Sequence, residues 1–307
     1  MQTAYITHPI CMAHDMGTGH PEQPARMSAI EDQLRATGRY DLLAHHEAPR
    51  ATALQLARVH DPDYIEHVQA RSPTEGVVML DPDTVMCPDT WEAALRSAGA
   101  AVLATDLVIR GEASRAFCNV RPPGHHAERR TSMGFCFFCN VGVGAAHALA
   151  EHGLERVAII DFDVHFGNGT ADVFADDPRV MLCSTYEYPL YPGMNPPTDP
   201  GHQINCPLSP GSGSDEFRAA VQNEWMPALL EFRPQMLFIS AGFDAAASDP
   251  LASLNLHPAD FEWVTDLLCD FAVKHCNNRV ISTLEGGYDL AALAVCANVH
   301  VGRLMEA

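Results

Sequence analysis

The chain has 307 residues, 47% hydrophobic and 19% charged, ordinary values for a globular protein with a sizeable core. Its formal charge of −20 argues against a non-specific binder of nucleic-acid backbone, which attracts the opposite sign, and no apolar run approaches the ~20 residues of a membrane span. The acidity would draw cationic partners from a distance, but solubility explains it as well, and Lys274, the only lysine, fits genome composition or a salty habitat.

In chain order, residues 24–37 and 88–110 carry helical periodicity, and residues 116–120 read as a short buried strand. A helix over 141–151 leads to strands at 157–162 and 180–185. Helical patterns over 215–231, 258–275 and 290–305 then alternate with strands at 236–241 and 280–284. This alternation predicts an α/β fold, with a mainly parallel central sheet flanked by helices on both faces. No repeat or linker divides the chain, so residues 1–307 are expected to form a single domain. Residues 186–210, rich in proline and glycine, predict a long ordered loop. Residues 1–15 lack the basic-then-apolar layout of a secretory signal, which makes the cytoplasm the expected location.

Such folds place their sites beyond the C-terminal ends of the strands, and the polar motifs fall there. Arg121-Pro122-Pro123-Gly124-His125-His126 follows the strand at 116–120, and Asp161-Phe162-Asp163-Val164-His165 ends the strand at 157–162. Ser184-Thr185-Tyr186, Gly242-Phe243-Asp244 and Glu285-Gly286-Gly287-Tyr288 end the others. Side chains alternate along a strand, so Asp161, Asp163 and His165 are expected to project together. Two carboxylates and an imidazole converging there suit a divalent metal, whereas a plain polar turn that caps the next helix would use one acid. Gly167, Asn168 and Gly169 supply a turn in which the backbone approaches a ligand closely. The ten cysteines are irregularly spaced in apolar contexts and suit buried, reduced thiols. Cys136-Phe137-Phe138-Cys139 has no second pair and is a weak zinc or redox signal.

These motifs, together with Gly134-Phe135-Cys136, Asp249-Pro250 and the opening His20-Pro21-Glu22-Gln23-Pro24-Ala25-Arg26, resemble the histone deacetylase family over nearly the whole chain. The Gly-Phe-Asp and Glu-Gly-Gly-Tyr forms look like its class II and bacterial amidohydrolase branch. The resemblance implies an arginase/deacetylase-like sheet in a single catalytic domain, and a zinc ion held by Asp163, His165 and Asp244. Fe(II) would suit the same nitrogen and oxygen donors. It makes His125 and His126 the proton-handling pair, partnered by Asp161 and Asn168, and Tyr288 the donor to the developing oxyanion. It also implies a potassium site built from Asp161, Ser184 and Thr185 with the carbonyls of Asp163 and His165. Phe135 and Tyr191 would line the substrate groove, with Gly134, Gly286, Gly287 and Leu251 around it.

Asp83 would grip the substrate's backbone or amine by the same resemblance, while local signals alone make it a helix cap before Pro88. Arg26 would stand beside an internal acetate path, or on the solvent face of an amphipathic helix. Phe166 departs from the family, which usually carries a second histidine there. Alternation turns it away from His165, so the packing behind the metal strand is what changes.

The implied function is zinc-dependent removal of acetyl or acyl groups from acetylated lysine side chains, on peptides, proteins or small acetylated amines. His126 is expected to act as base, and His125, favoured in its charged form by Asp161, as electrostatic support. The alternative is an acetylpolyamine amidohydrolase, although polyamine-selective relatives can carry glutamate where Leu251 stands. An arginase-like ureohydrolase with two manganese ions and a metal-binding protein without catalysis are the other readings.

Overall fold

The computed structural model describes residues 2–306. Strands β1 (Ala4–Thr7) and β2 (Ala44–Glu47) come first, and β3 (Val78–Asp81) and β4 (Thr84–Met86) form a separate antiparallel hairpin. They are followed by β5 (Ala116–Cys118), β6 (Val157–Asp161), β7 (Val180–Glu187), β8 (Gln203–Leu208), β9 (Leu237–Ala241) and β10 (Val280–Leu284). All but the hairpin join one eight-stranded sheet in the order β2-β1-β5-β10-β9-β6-β7-β8. Every neighbouring pair in it is parallel.

The helices are α1 (Ala25–Ala36), α2 (Ala53–Leu56), α3 (Pro62–Ala70), α4 (Thr90–Ile109), α5 (Asn140–Glu151), α6 (Asn168–Val173), α7 (Ser214–Ala220), α8 (Met226–Phe232), α9 (Pro258–His275) and α10 (Leu290–Met305). Helices α4 and α5 cover one face, where Val102 and Val143 share a core with Ile159 and Phe238. Helices α1, α9 and α10 cover the other, where Ile30, Phe261 and Val301 meet Ile160 and Leu237. Strands β6, β9 and β10 are therefore buried throughout, which is why they read as unbroken apolar runs rather than alternating ones. The α/β architecture with helices on both faces is the one the sequence predicts. Among the described residues no helix is long and apolar enough to cross a membrane.

The differences lie at the edges. Strands β1 and β2 escape the sequence reading because each has only four residues, and β2 alternates partly buried Ala44 and His46 with exposed His45 and Glu47. The segment 186–210 is not all loop: β7 runs on to Glu187, and β8 pairs with it as the sheet edge. Pro207 is tolerated there because an edge strand has one side free of ladder bonds. The helix over 215–231 is interrupted by a π turn at Val221–Trp225, next to Pro227, which has no N–H to donate.

Burial also fixes the charge state of a core histidine. His300 lies between Thr265 Oγ1 and Ser282 Oγ, both at 2.7 Å, with no exposed surface. Burial lowers its pKa to about 3. The unfolded chain binds this proton below pH ~6.5 and the folded chain does not, so stability falls as pH drops from there toward 3, by up to ~1.4 kcal/mol per unit. Urea unfolding between pH 6.5 and 4 should therefore show a shallower pH slope in His300→Gln than in the parent. An unchanged slope refutes the assignment.

Candidate active site

The polar strand ends meet at one rim. Asp163 and His165 follow β6, Asp244 follows β9, and one ligand atom from each lies within 4.8 Å of the other two. All three residues are buried. His165 Nδ1 is 3.0 Å from Asp163 Oδ1 and 3.2 Å from Asp244 Oδ2. The outer carboxylate oxygens are held by the backbone: Gly286 N donates to Asp163 Oδ2 at 2.8 Å, and Val164 N to Asp244 Oδ1 at 2.9 Å. Asp244 Oδ2 is buried without a hydrogen-bond partner. An unpaired buried carboxylate oxygen beside a second carboxylate and an imidazole is a donor set fitted to a divalent cation.

Electrostatics give the same picture. Burial opposes charge on His165, but its hydrogen bond to Asp163 and the nearby Asp244 carboxylate outweigh it and raise its pKa to about 10. The proton thus stands in for positive charge that the carboxylates require. Gly286 keeps the clasp tight, since a Cβ there would lie 2.6 Å from Asp163 Oδ2 and closer still to Asp244.

Asp161 does not join this cluster. Strand β6 ends at Asp161, so two-residue alternation stops governing the chain beyond it. Its Oδ2 lies 3.0 Å from His125 Nδ1, and its Oδ1 accepts from Asp163 N at 3.1 Å. His126 Nδ1 lies 2.7 Å from Asn168 Oδ1, and the two imidazole centres are 4.0 Å apart. Burial works against charge on both rings, but the Asp163 and Asp161 carboxylates reverse it for His125, whose pKa is raised well above the ordinary value. For His126, burial and the neighbouring His125 and His165 outweigh the help from Asp163 and Asn168, and its pKa is held well below the ordinary value. Neighbours pushed apart in this way can divide acid and base roles.

A cavity of about 230 Å³ leads to the cluster, lined by Asp83, His126, Gly134, Phe135, His165, Leu190, Tyr191, Leu251 and Tyr288. Asp83 caps no helix: in the turn between β3 and β4, its Oδ1 accepts from Gly134 N at 3.0 Å. Thr84 Oγ1 accepts from Phe135 N at 3.2 Å. The hairpin thereby holds two consecutive left-handed residues, Gly134 at φ 56° and Phe135 at φ 68°. Glycine is required at 134, where a Cβ would sit 2.7 Å from His126 Cγ. Phe135 and Tyr288 meet edge to face at 6.0 Å, and Tyr191 stands edge-on to His126 at 5.2 Å. Burial raises the Tyr288 pKa well above its ordinary value, so the phenol keeps its proton.

Glu285, Asp249 and Glu22 support the site in ways the sequence motifs do not reveal, and Arg26 joins them. Buried Glu285 accepts from Gly124 N at 2.7 Å, His125 N at 3.1 Å and Ser240 Oγ at 3.1 Å, which fixes the His125 loop to β9 and β10. Asp249 accepts from Tyr288 N at 2.7 Å and Leu251 N at 3.0 Å, so one carboxylate sets two cavity walls. Arg26 is fully buried, not on a solvent face. It donates to Gly287 O at 2.6 Å and Glu285 O at 2.5 Å, and its guanidinium carbon lies 5.0 Å from the Tyr288 ring centre. Glu22 binds both Arg26 and Arg121 in the same buried network. Acids and arginines flanking glycine-rich strand ends were the available signal.

Ser184 is paired in register with Asp161, and its hydroxyl is buried without a partner; Thr185 is buried beside it. Phe166 is buried against Tyr186, with ring centres 4.9 Å apart. Gly287 takes φ 121°, the turn that presents Tyr288. Cys136 and Cys139 are buried free thiols whose pKa values burial raises, Cys139 to about 12, which suits neither a thiolate metal site nor a reactive pair. A second cluster, Asp106, His147 and His152, could also approach an ion. There Arg58 Nη1 faces His147 Nδ1 at 2.8 Å, however, and a neutral imidazole bound through Nε2 needs that atom protonated. The cluster is better satisfied as an ion-pair network.

A fold of this kind belongs to the deacetylase and amidohydrolase class, and comparison with known proteins gives the family. The profile of the histone deacetylase domain matches residues 20–304. The chain is 36% identical to the histone deacetylase-like amidohydrolase of Pseudomonas aeruginosa, over 96% of this chain and 84% of that one. It is 33% identical to a probable deacetylase of Archaeoglobus fulgidus, over 98% and 85%. Human polyamine deacetylase HDAC10 is also 33% identical, over 98% of this chain and 48% of its own. The crystal structure of the HDA15 HD domain superimposes with a TM-score of 0.93 at 31% identity, covering 99% of this chain and 88% of that one. The chain belongs to the histone deacetylase family.

Because Gly286 leaves no room for a methyl group between Asp163 and Asp244, Gly286→Ala should weaken the affinity of this donor set for a divalent ion, with zinc as the probe, by at least ~10-fold. Competition with a chromophoric chelator reads this directly. Parent-like affinity in the folded variant would show that the ion does not depend on that clasp.

Proposed function

We propose that this chain is a zinc-dependent amide hydrolase acting as a single catalytic domain, and that it removes acetyl or other acyl groups from acetylated lysine side chains. The observation that carries the reading is the Asp163, His165 and Asp244 cluster at the cavity, beside two histidines of opposed pKa and a protonated tyrosine. Zinc held by those three residues would polarise the acyl carbonyl and lower the pKa of water at the site. The same donors accept Fe(II).

The chain's own groups then have separate tasks. His126, neutral, takes the proton of the attacking water at Nε2, while its Nδ1 stays bonded to Asn168. His125, charged beside Asp161, supports the negative charge that develops and is a proton source for the leaving amine. Tyr288 donates its hydroxyl to the oxyanion. Phe135, Tyr191 and Leu251 enclose the methylene chain, Gly134 gives it room, and Asp83 offers a carboxylate to an amine or backbone N–H. Gly286 and Gly287 do not line this cavity but act behind it, against the carboxylates and in the turn before Tyr288. A potassium ion at Asp161, Ser184 and Thr185 would offset the local carboxylates; the unpartnered Ser184 hydroxyl supports it.

A small acetylated polyamine is the second reading. Asp83 in the cavity wall and the similarity to human polyamine deacetylase HDAC10 favour it, while Leu251 offers only apolar contact. Comparing kcat/KM on acetyllysine peptides and N-acetylputrescine decides between them, and a large preference for the diamine reverses the ranking.

Tyr288→Phe should lower kcat by roughly 100-fold, about 3 kcal/mol in the barrier, with zinc still bound. Near-parental kcat in that variant removes the oxyanion assignment. Loss of acetate release after chelation, restored by zinc, is the accompanying control.

A further inference from the structure

A base that accepts a proton at Nε2 must carry its own at Nδ1, so the group facing Nδ1 has to accept. For His126 that group is Asn168 Oδ1, at 2.7 Å. Asparagine is ambiguous in this duty, because its amide turned end for end presents NH₂ with nearly the same shape. That rotation would favour the opposite tautomer, whose Nε2 is already protonated and takes nothing from water.

The far side of Asn168 settles the orientation. Its Nδ2 donates to Glu128 Oε1 at 2.8 Å, to Met133 Sδ at 3.3 Å and toward His126 O at 3.5 Å. All three are acceptors there, and Glu128 is the charged one. Glu128 is itself seated by its backbone, which donates to Thr131 O at 2.9 Å and accepts from His60 Nδ1 at 3.0 Å. With Asn168, Phe166 and Met194 it lines a separate open cavity, not the one containing Tyr288. Any effect of Glu128 on the substrate must therefore pass through Asn168 and His126.

We propose that Glu128 is a positioning residue for the reaction: its carboxylate locks the Asn168 amide so that the oxygen faces His126, which keeps His126 as the Nδ1–H tautomer with Nε2 free. The contrast with the neighbouring pair gives the arrangement its sense. Asp161 touches His125 directly and stabilises its cation. A neutral amide interposed between Glu128 and His126 confers orientation without placing a charge in contact. The inference rests on the proposed role of His126 as base.

A double-mutant cycle on the zinc-loaded protein tests it. Glu128→Ala should lower kcat by about tenfold with KM little changed, a typical cost of losing an outer hydrogen-bonding partner. In an Asn168→Asp background the same replacement should cost nothing further, because a carboxylate has only oxygens and needs no lock. Equal losses in both backgrounds, or parental kcat in Glu128→Ala, overturn the proposal. Glu128→Gln, which preserves size and so guards against a folding artefact, should fall between parent and Glu128→Ala. A Gln variant as slow as Ala, despite its retained acceptor, counts against the lock. Long-range ¹H–¹⁵N spectra read the tautomer without turnover: Nδ1–H in the parent, a mixture in Glu128→Ala. Nδ1–H alone in both overturns the proposal. A parent with that tautomer but no amidase activity would sink the functional reading, and with it the catalytic role of Glu128, while leaving only the amide lock itself in place.

Discussion

Asp163 and Asp244 bring two carboxylates into a place with almost no exposed surface, where an uncompensated charge costs several kcal/mol. The neighbourhood is arranged to meet that demand. Backbone N–H groups of Gly286 and Val164 take the outer oxygens, His165 sits between the inner ones, and Asp244 Oδ2 is still left without a partner. A divalent ion would complete this arrangement, and the same field sorts the histidines. His125, near both Asp161 and Asp163, is made cationic, while His126, behind a neutral amide, is not.

Further out, a second layer of buried ions holds the first in place. Glu22 binds Arg26 and Arg121, and Arg26 reaches the carbonyls on either side of Gly286 and lies over Tyr288. Removing one member of such a set would strand another charge, which makes these contacts expensive to break even though they add little net stability when intact. The burial of Glu22, at the start of the chain, therefore bears on the position of Tyr288 far along it.

Much of this was legible because buried parallel strands are unbroken apolar runs, and their polar ends stand out. The strands β5, β6, β7, β9 and β10 and the rim they share could be read this way. Two-residue alternation misled at Asp161, because the strand ends there and the chain turns its carboxylate to His125. Strand β1 and the edge strands β2 and β8 were missed, being short, partly polar or carrying a proline, all signals that loops share. Asp83 could not be placed from local pattern, since its partner, Gly134, is 51 residues away. Glu285 and Asp249 sat in quoted motifs, but their work is to hold backbone N–H groups, and sequence does not show which ones.

The position of β10 has a consequence for biosynthesis. It is the last strand in chain order, yet it lies between β5 and β9 and is the sole bridge between the β2-β1-β5 and β9-β6-β7-β8 halves. Until residues 280–284 leave the ribosome, the two halves cannot be zipped together, and each exposes an unpaired strand flank. Nascent or truncated chains of this protein should accordingly rely on chaperones. Glu285 and Tyr288 arrive with the same strand, so a chain that has not closed its sheet also lacks its chemistry.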